Sequence, residues 1–329
     1  MNRTNTALEF DPLWVTTPLL HRAEFYPLGF AVSVASNDRL VIEAAAQSWS
    51  GFVRRFEGSA AEIRCLVTPA ETGDILPSEP VFRAQRNLFL VVADTRNFAC
   101  CDLGNGFASA WLSDTTVSDA PYFRYHFLEG MAYSLIGTQH VAAVHAACVS
   151  LEGKGVLLAG DSGAGKSSLA YACARRGWTY TSDDMSAILL RSDGRSVLGN
   201  PSAFRFRASA GHLFPEFRGL DNHVRHSKGK PTIEVRTDAL SAIRTAPECR
   251  AECVVFLNRR GDHAPDLVTV PTLEARQRLF CDPWPPDLST RADMHAAVDR
   301  LLTVPAFELR YSRLDDAVER LEQLLLGGF

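Results

Sequence analysis

The stretch Gly160-Asp161-Ser162-Gly163-Ala164-Gly165-Lys166-Ser167 gathers the residue types that hold a polyphosphate. Glycines at 160, 163 and 165 let the backbone curl until successive N–H groups point at one centre, an arrangement that receives phosphate oxygens. Lys166 has the charge and length to reach β- and γ-phosphates. The Ser167 hydroxyl is a hard oxygen ligand of the kind Mg2+ takes. Gly, four residues, Gly, Lys, Ser fits the P-loop pattern without a mismatch. Ser168, next in the chain, joins residues 160–167 in the expected nucleotide-binding set.

Two further places carry candidate chemistry. Trp178-Thr179-Tyr180-Thr181 alternates like a strand and ends in Ser182-Asp183-Asp184. Adjacent strand residues point to opposite faces, so at most one of the two carboxylates addresses the phosphates while the other supports metal or loop structure. The alternative is that both cap the next turn. His145 lies in an apolar stretch before the glycine loop, where it can hydrogen-bond an aspartate or a phosphate oxygen; the alternative is a packed or surface histidine.

The elements that must position these groups are also readable. Val156-Leu157-Leu158-Ala159 supplies a strand into the loop, and residues 167–176 form a helix out of it, with Leu169, Ala172 and Cys173 facing a sheet. Arg175 and Arg176 complement the negative end of that helix, and Gly177 terminates it in the left-handed conformation. Upstream, residues 143–151 read as a strand that returns through a tight turn at 152–155, with a two-residue Gly153-Lys154 loop. If Glu152 faces Gly155, paired numbers sum to 307 and His145 lies opposite Ser162. A helix is predicted near 123–137, with Phe127, Met131 and Leu135 on one face. Residues 1–125 alternate short apolar runs, such as Leu88-Phe89-Leu90-Val91-Val92, with turn clusters and read as a small α+β unit. At the far end, Ser312-Arg313-Leu314-Asp315 caps a helix that places Leu314, Val318, Leu321 and Leu325 on one face.

Composition narrows the class. The chain has 329 residues, 46% hydrophobic and 22% charged, enough for one large core or two ordinary ones. A net charge of -4 offers no field for a nucleic-acid backbone or an anionic membrane, so neither is an expected partner. No apolar run reaches the roughly 18 to 20 residues of a membrane span, and Met1 to Pro12 lacks a signal-peptide core; the cytoplasm is the default compartment. The 8 cysteines are scattered and are expected to be reduced, mostly buried side chains. Cys249, Cys253 and His263 lack a second well-spaced pair for a metal site.

Taken together, Val144-His145-Ala146-Ala147, the hairpin, the glycine loop, Arg176-Gly177-Trp178 and Ser182-Asp183-Asp184 closely resemble the C-terminal catalytic domain of HPr kinase/phosphorylase and its relatives. The resemblance is strong over about 140–190. It continues more weakly through Gly199-Asn200-Pro201 and Phe204-Arg205-Phe206 to Pro305-Ala306-Phe307-Glu308-Leu309, and does not extend to residues 1–125. It implies an α/β (α+β) chain: a P-loop catalytic domain over 126–329, of the HPr kinase/PEP carboxykinase-like type, behind a smaller α+β N-terminal domain over 1–125. It also implies roles. His145 matches the family's active-site histidine, Lys166 the phosphate-binding lysine and Ser167 the magnesium ligand. Asp184 matches the aspartate that accepts the proton of the target hydroxyl and also belongs to the metal site, and Asp183 matches the catalytic aspartate beside it. The family's metal-ligating Glu within Glu-Ile-Arg-Gly has its nearest counterpart at Ile233-Glu234-Val235-Arg236, which lacks the Gly, while Arg205 stands near the expected place. Glu234 is therefore the candidate third metal ligand, and reverse phosphorylase activity is left open. The basic stretch from His223 to Lys230 reads as a lid over phosphates or as a solvated loop.

The resulting expectation is a kinase that uses ATP and Mg2+ to phosphorylate a serine of a small protein or peptide, with residues 1–125 available for substrate recognition. Relatives often form hexamers, so a homo-oligomer is among the expectations. The alternatives are a non-catalytic ATP-binding regulatory module and a small-molecule kinase.

Overall fold

The computed structural model describes residues 17–192, 194–218, 225–227, 230–259, 264–279 and 288–327. Met1 to Pro12, Cys281, His263 and half of the basic stretch from His223 to Lys230 (223, 224, 228 and 229) lie outside them. The chain is mixed α/β, with several sheets.

The first sheet has seven strands: β1 (His21–Phe25), β2 (Val32–Ser36), β3 (Ala61–Thr68), β4 (Val81–Gln85), β5 (Leu88–Val92), β6 (Phe98–Asp102) and β7 (Phe107–Ser113). Their order is β1-β2-β3-β7-β6-β5-β4. Strand periodicity explains which face is buried: Ile63 and Cys65 of β3, Ala99 and Cys101 of β6, and Ala108, Ala110 and Leu112 of β7 all point into one core. Helix α1 (Arg39–Trp49) crosses between the parallel strands β2 and β3. Asp38 caps its start by accepting from the Leu40 N–H at 2.8 Å, and Val41, Ala44, Ala45 and Trp49 face the core.

A helical run follows, α2 (Asp114–Ser118), α3 (Ala120–Phe123), a widened turn over Arg124–Leu128 and α4 (Glu129–Gln139). The widening is a π turn, in which the Glu129 N–H reaches back to the Arg124 carbonyl. Phe127, Met131 and Leu135 share one buried face, as their spacing predicts, and that face lies in the core of the first sheet. By packing, this helix lies against the seven-stranded sheet.

The second sheet uses β8 (Val141–Val144), β9 (Ala146–Leu151), β10 (Lys154–Ala159), β11 (Thr179–Ser182), β12 (Ser186–Leu189) and β13 (Ser196–Leu198). A separate three-stranded sheet joins β14 (Ala203–Arg207), β15 (Arg225–Ser227) and β16 (Lys230–Arg236). The large sheet is completed by β17 (Arg244–Thr245), β18 (Glu248–Arg259), β19 (Asp266–Thr269) and β20 (Ala306–Tyr311). Its centre is β10, antiparallel to β9 and parallel to β18. Helix α5 (Lys166–Arg175) lies between the sheet and α8 (Leu314–Gly327), whose Val318, Leu321 and Leu325 are buried, as their spacing predicts. On the other face, α6 (Thr272–Leu279) and α7 (Leu288–Leu301) close a second core.

The hairpin register differs from the sequence-based one. Gly155 pairs with Ser150 and Lys154 with Leu151, so paired numbers sum to 305. The turn is centred on Glu152 and Gly153, both at positive φ (50° and 81°), which suits the right-handed twist of the flanking strands better than a Gly153-Lys154 turn. The strand before it is also broken: residues 141–144 pair with β12, and only from Ala146 does the chain pair with β10 and β11. His145 occupies the break.

Candidate active site

The glycine loop leaves the end of β10 and enters α5. Gly160, Gly163 and Gly165 take φ values of +148°, +93° and +102°, a region that L side chains rarely adopt. The Leu169 N–H opens the helical ladder by bonding the Gly165 carbonyl at 2.8 Å, and no side chain caps the helix start. The first N–H groups of α5 are thus left for an anion. Lys166 is buried, and its Nζ donates to the carbonyls of Gly160 (2.7 Å) and Asp161 (3.2 Å), drawing the ammonium into the loop. From β20, the Tyr311 hydroxyl donates to the Ala164 carbonyl at 3.3 Å, and a Cβ added at Gly165 would lie 2.8 Å from that hydroxyl oxygen. Arg207 of β14 donates to the Ser162 hydroxyl at 2.9 Å.

Asp183 and Asp184 follow β11 at a corner between β11 and β12. The Ser182 and Ser186 hydroxyls, 2.7 Å apart, tie the corner together, and Ser186 donates to the Ala146 carbonyl at 2.9 Å. This holds the corner against the break at His145. The two carboxylates diverge. Asp184 is half exposed and sets its Oδ1 3.3 Å from Nδ1 of His145. Asp183 is buried and accepts the Arg205 backbone N–H at 2.6 Å. Burial pushes the Asp183 carboxyl up to about 7; the Asp184 charge adds to the rise, and the Arg205 N–H and guanidinium oppose it.

A cavity of about 720 Å³ opens in front of the loop. Ser162, Gly163, Gly165, Lys166, Ser167 and Ser168 line it together with His145 and Asp184. Asp183 does not reach it, so the structure sets Asp183 as a support for β14 and Asp184 as the group that faces the loop. The opposite wall comes from the first sheet's connections: Leu76, Pro77, Ser78 and Glu79, with Tyr122, Tyr125 and His126. The Tyr122 hydroxyl donates to the Ser78 carbonyl at 2.6 Å, fixing these two pieces to each other.

Glu234 is placed differently from the sequence expectation. One of its oxygens pairs with Arg124, and the other accepts from Nε of Arg205 at 3.0 Å. Burial pushes its carboxyl up, but Arg205 and Arg124 outweigh burial and hold it below the usual range. With both oxygens taken by guanidinium groups, Glu234 is an arginine ligand. A cation in its place would face two positive charges. Arg205 in turn bonds Glu129 at 2.8 Å and lies over the Tyr125 ring, 5.1 Å from its centroid, and Ser48 donates to the second Glu129 oxygen at 2.8 Å. This charge chain joins the helical run to the three-stranded sheet beside the cavity. The sequence reading missed Arg124 and Glu129; their signal is polar residues within the apolar stretch from Phe123 to Leu135, where only the π turn brings them to one side.

The residues fit a bound nucleoside triphosphate with Mg2+: an uncapped helix start, a glycine loop at positive φ, a lysine already folded into that loop, and hydroxyl and carboxylate oxygens in one cavity. Among the described residues no cluster of three or more His, Cys, Asp or Glu could hold a metal by itself. A Ser167 hydroxyl with Asp184 is the sparse oxygen set that Mg2+ takes when phosphates and water supply the rest. The 7 cysteines among the described residues are free, five of them buried. No helix there is long and apolar enough to cross a membrane.

Comparison with known proteins places this segment. Residues 138–207 match the family model described as the HPr Serine kinase C-terminal domain, which spans β8 to β14 and so contains His145, the glycine loop and both aspartates. The match bears out the resemblance read from the sequence, and it marks a kinase-type family. Among solved structures, the chain is similar to the Hpr(Ser) kinase/phosphatase from Coxiella burnetii, at 14% identity, covering 56% of this chain and 99% of that one, with a TM-score of 0.28. No curated protein matches.

Proposed function

We propose that this chain, with its HPr serine kinase-type segment at 138–207, is an ATP- and Mg2+-dependent kinase that transfers the γ-phosphate to a serine hydroxyl of a small protein or peptide. The observation that carries the reading is the pair His145–Asp184, facing the glycine loop across one cavity. We also keep the division into an N-terminal unit and a catalytic unit as part of this proposal, with the helical run counted by packing with the first.

In this reading Gly160 to Ser168 hold the triphosphate through backbone N–H groups, and Lys166 turns its Nζ from the loop carbonyls to phosphate oxygens. Ser167 and Asp184 would hold Mg2+, which supplies charge neutralisation on the phosphates when bound. Asp184 accepts the proton of the acceptor hydroxyl at a carboxylate oxygen, and His145 orients that carboxylate through Nδ1. Asp183 does not touch the reacting atoms. By holding the Arg205 N–H it fixes β14, and with it Arg207 beside Ser162. The wall of Leu76, Pro77 and Tyr122 excludes water from the reacting centre, limiting loss of phosphate by hydrolysis.

The experiment is incubation of the purified protein with γ-labelled ATP, Mg2+ and serine-containing peptides and small proteins, alongside free serine and sugars. Label on a peptide or protein serine supports the reading; label only on free serine or sugars shifts it to a small-molecule kinase; tight ATP binding with no labelled acceptor shifts it to a regulatory module.

A further inference from the structure

The seven-stranded sheet ends in a bare edge. β4 is its outermost strand, pairs only with β5 among the described residues, and is exposed at all five positions, Val81 to Gln85. An exposed strand edge with apolar side chains is a template for another strand. Val81 is 56% and Phe82 50% exposed, and Leu88 and Val92 of the neighbouring β5 are also exposed. From Pro80 to Val92 the chain carries Arg83 and Arg86 and no acidic residue, so the hairpin is a basic, apolar strip.

The strip runs into the candidate active site. Residues 76–79, which wall the cavity opposite Asp184, directly precede β4 and are separated from Val81 only by Pro80. Their course is fixed rather than slack: Tyr122 bonds the Ser78 carbonyl, and Arg96 holds Asp74 through two bonds of 2.8 and 2.6 Å and the Pro69 carbonyl at 2.8 Å. An extended chain advances about 3.3 Å per residue, so a segment that leaves β4 at the Val81 end and runs beside Pro80 and Glu79 comes level with Ser78, a residue lining the cavity, in roughly three residues.

We propose that the outer edge of β4 docks an extended, acidic and apolar segment of the acceptor polypeptide by strand addition, and that the serine to be phosphorylated lies about three residues beyond that segment. The inference rests on the kinase reading for the serine and on the edge itself for the docking. Backbone pairing supplies the affinity, and Arg83, the one charged residue of β4, favours an acidic side chain beside it. A compact acceptor that offers no free strand edge beside its serine is a poorer occupant, because the β4 edge is satisfied only by extended backbone.

The test uses the full chain and two fluorescein-labelled nonapeptides, each with three Val-Glu repeats, joined to Ala-Ala-Ser at one end or the other. Without nucleotide, anisotropy is expected to show binding of at least one peptide. Binding should weaken at least tenfold for Arg83→Glu, for the same peptide N-methylated at alternate amides, and for a Val-Lys version. With Mg2+ and ATP the bound peptide should be phosphorylated on serine, with KM raised at least tenfold by Arg83→Glu. Circular dichroism melts verify that this exposed substitution leaves the fold intact. Absence of binding by every peptide, or binding indifferent to both Arg83→Glu and N-methylation, overturns the proposal. So does an edge occupied by a second copy, seen as a dimer that Arg83→Glu dissociates, or by residues 1–16, seen as peptide binding only after their deletion. Nucleotide affinity, measured separately, distinguishes the two readings: peptide binding without Mg2+-ATP binding would end the kinase assignment and leave the docking edge standing.

Discussion

Nδ1 of His145 stands 3.3 Å from Oδ1 of Asp184, although the two residues come from different parts of the second sheet. His145 fills the break at which the chain stops pairing with β12 and starts pairing with β10 and β11; Asp184 fills the corner at which the chain passes from β11 to β12. Two interruptions of one sheet meet, and each leaves its side chain free of a ladder position and turned to the cavity.

Asp184→Asn is expected to keep ATP in the glycine loop, to raise the Mg2+ concentration needed for binding because one metal-holding carboxylate is lost, and to lose phosphate transfer by roughly 10² to 10⁴ at saturating Mg2+, the range for removing a positioned general base. His145→Gln should lower kcat by less. The double variant should transfer no more slowly than Asp184→Asn alone, because His145 acts through that carboxylate. Single-turnover transfer with γ-labelled ATP measures all three; wild-type transfer by Asp184→Asn refutes the assignment.

Lys166→Ala removes a buried ammonium from the loop. Charge-assisted hydrogen bonds contribute about 1.5 to 3 kcal/mol, so Mg2+-ATP affinity should fall by roughly ten- to a hundredfold, with turnover nearly abolished. Chelation of Mg2+ by EDTA should abolish turnover in the wild-type chain. Titration calorimetry and an ATP turnover assay read the two effects.

Gly165→Ala should weaken nucleotide binding and lower Tm. The residue takes φ +102°, and an added Cβ would approach the Tyr311 hydroxyl oxygen to 2.8 Å. Tyr311→Phe combined with it removes the contact but not the backbone strain of about 1 to 2 kcal/mol, so the double variant should recover part of the loss in a thermal melt.

Asp183 makes stability depend on pH. Its carboxyl titrates near 7 in the fold and at the ordinary 3.8 when unfolded, so the folded chain binds the extra proton between those values. The stability this proton contributes is fully present below about 3.8 and is lost as pH rises through about 7; the span corresponds to roughly 4 kcal/mol. Asp183→Asn, which keeps an acceptor for the Arg205 N–H, should flatten the urea-unfolding free energy over that window. An unchanged pH profile would contradict the burial of this group.

Arg205→Ala leaves Glu129, which is nearly fully buried, without its guanidinium partner and deprives Glu234 of one of two. Breaking a buried pair from one side costs about 3 to 5 kcal/mol. Adding Glu129→Gln should restore part of that, a non-additivity readable in chemical denaturation.

Much of the site was legible from local spacing. The glycine loop, its strand and its helix are contiguous, and each residue type there serves the same geometry, so the observed φ values and the helix start fall where the sequence puts them. The helical run carrying Phe127, Met131 and Leu135 was equally plain, because a repeat of four residues needs no distant partner, whereas the π turn at Arg124–Leu128 that interrupts it left no mark in that spacing. The hairpin between residues 151 and 154 was harder. Either Glu152-Gly153 or Gly153-Lys154 can centre a two-residue turn, and the choice rests on strand twist and on the neighbours β11 and β18.

Tertiary structure alone decided what stands across from the loop. Glu234 reads as a metal ligand until Arg124 and Arg205 are seen to hold its two oxygens, and both arginines arrive from segments distant in the chain. The wall from Leu76 to Glu79 carries no motif at all. By itself the amino-acid sequence determined the glycine loop and the placing of two aspartates after β11, because those depend on backbone conformation over a few consecutive residues. Which aspartate faces the cavity, which carboxylate is neutralised by arginine and which surface completes the pocket depend on burial and charge summed over segments brought together only by folding, and no local spacing encodes that sum.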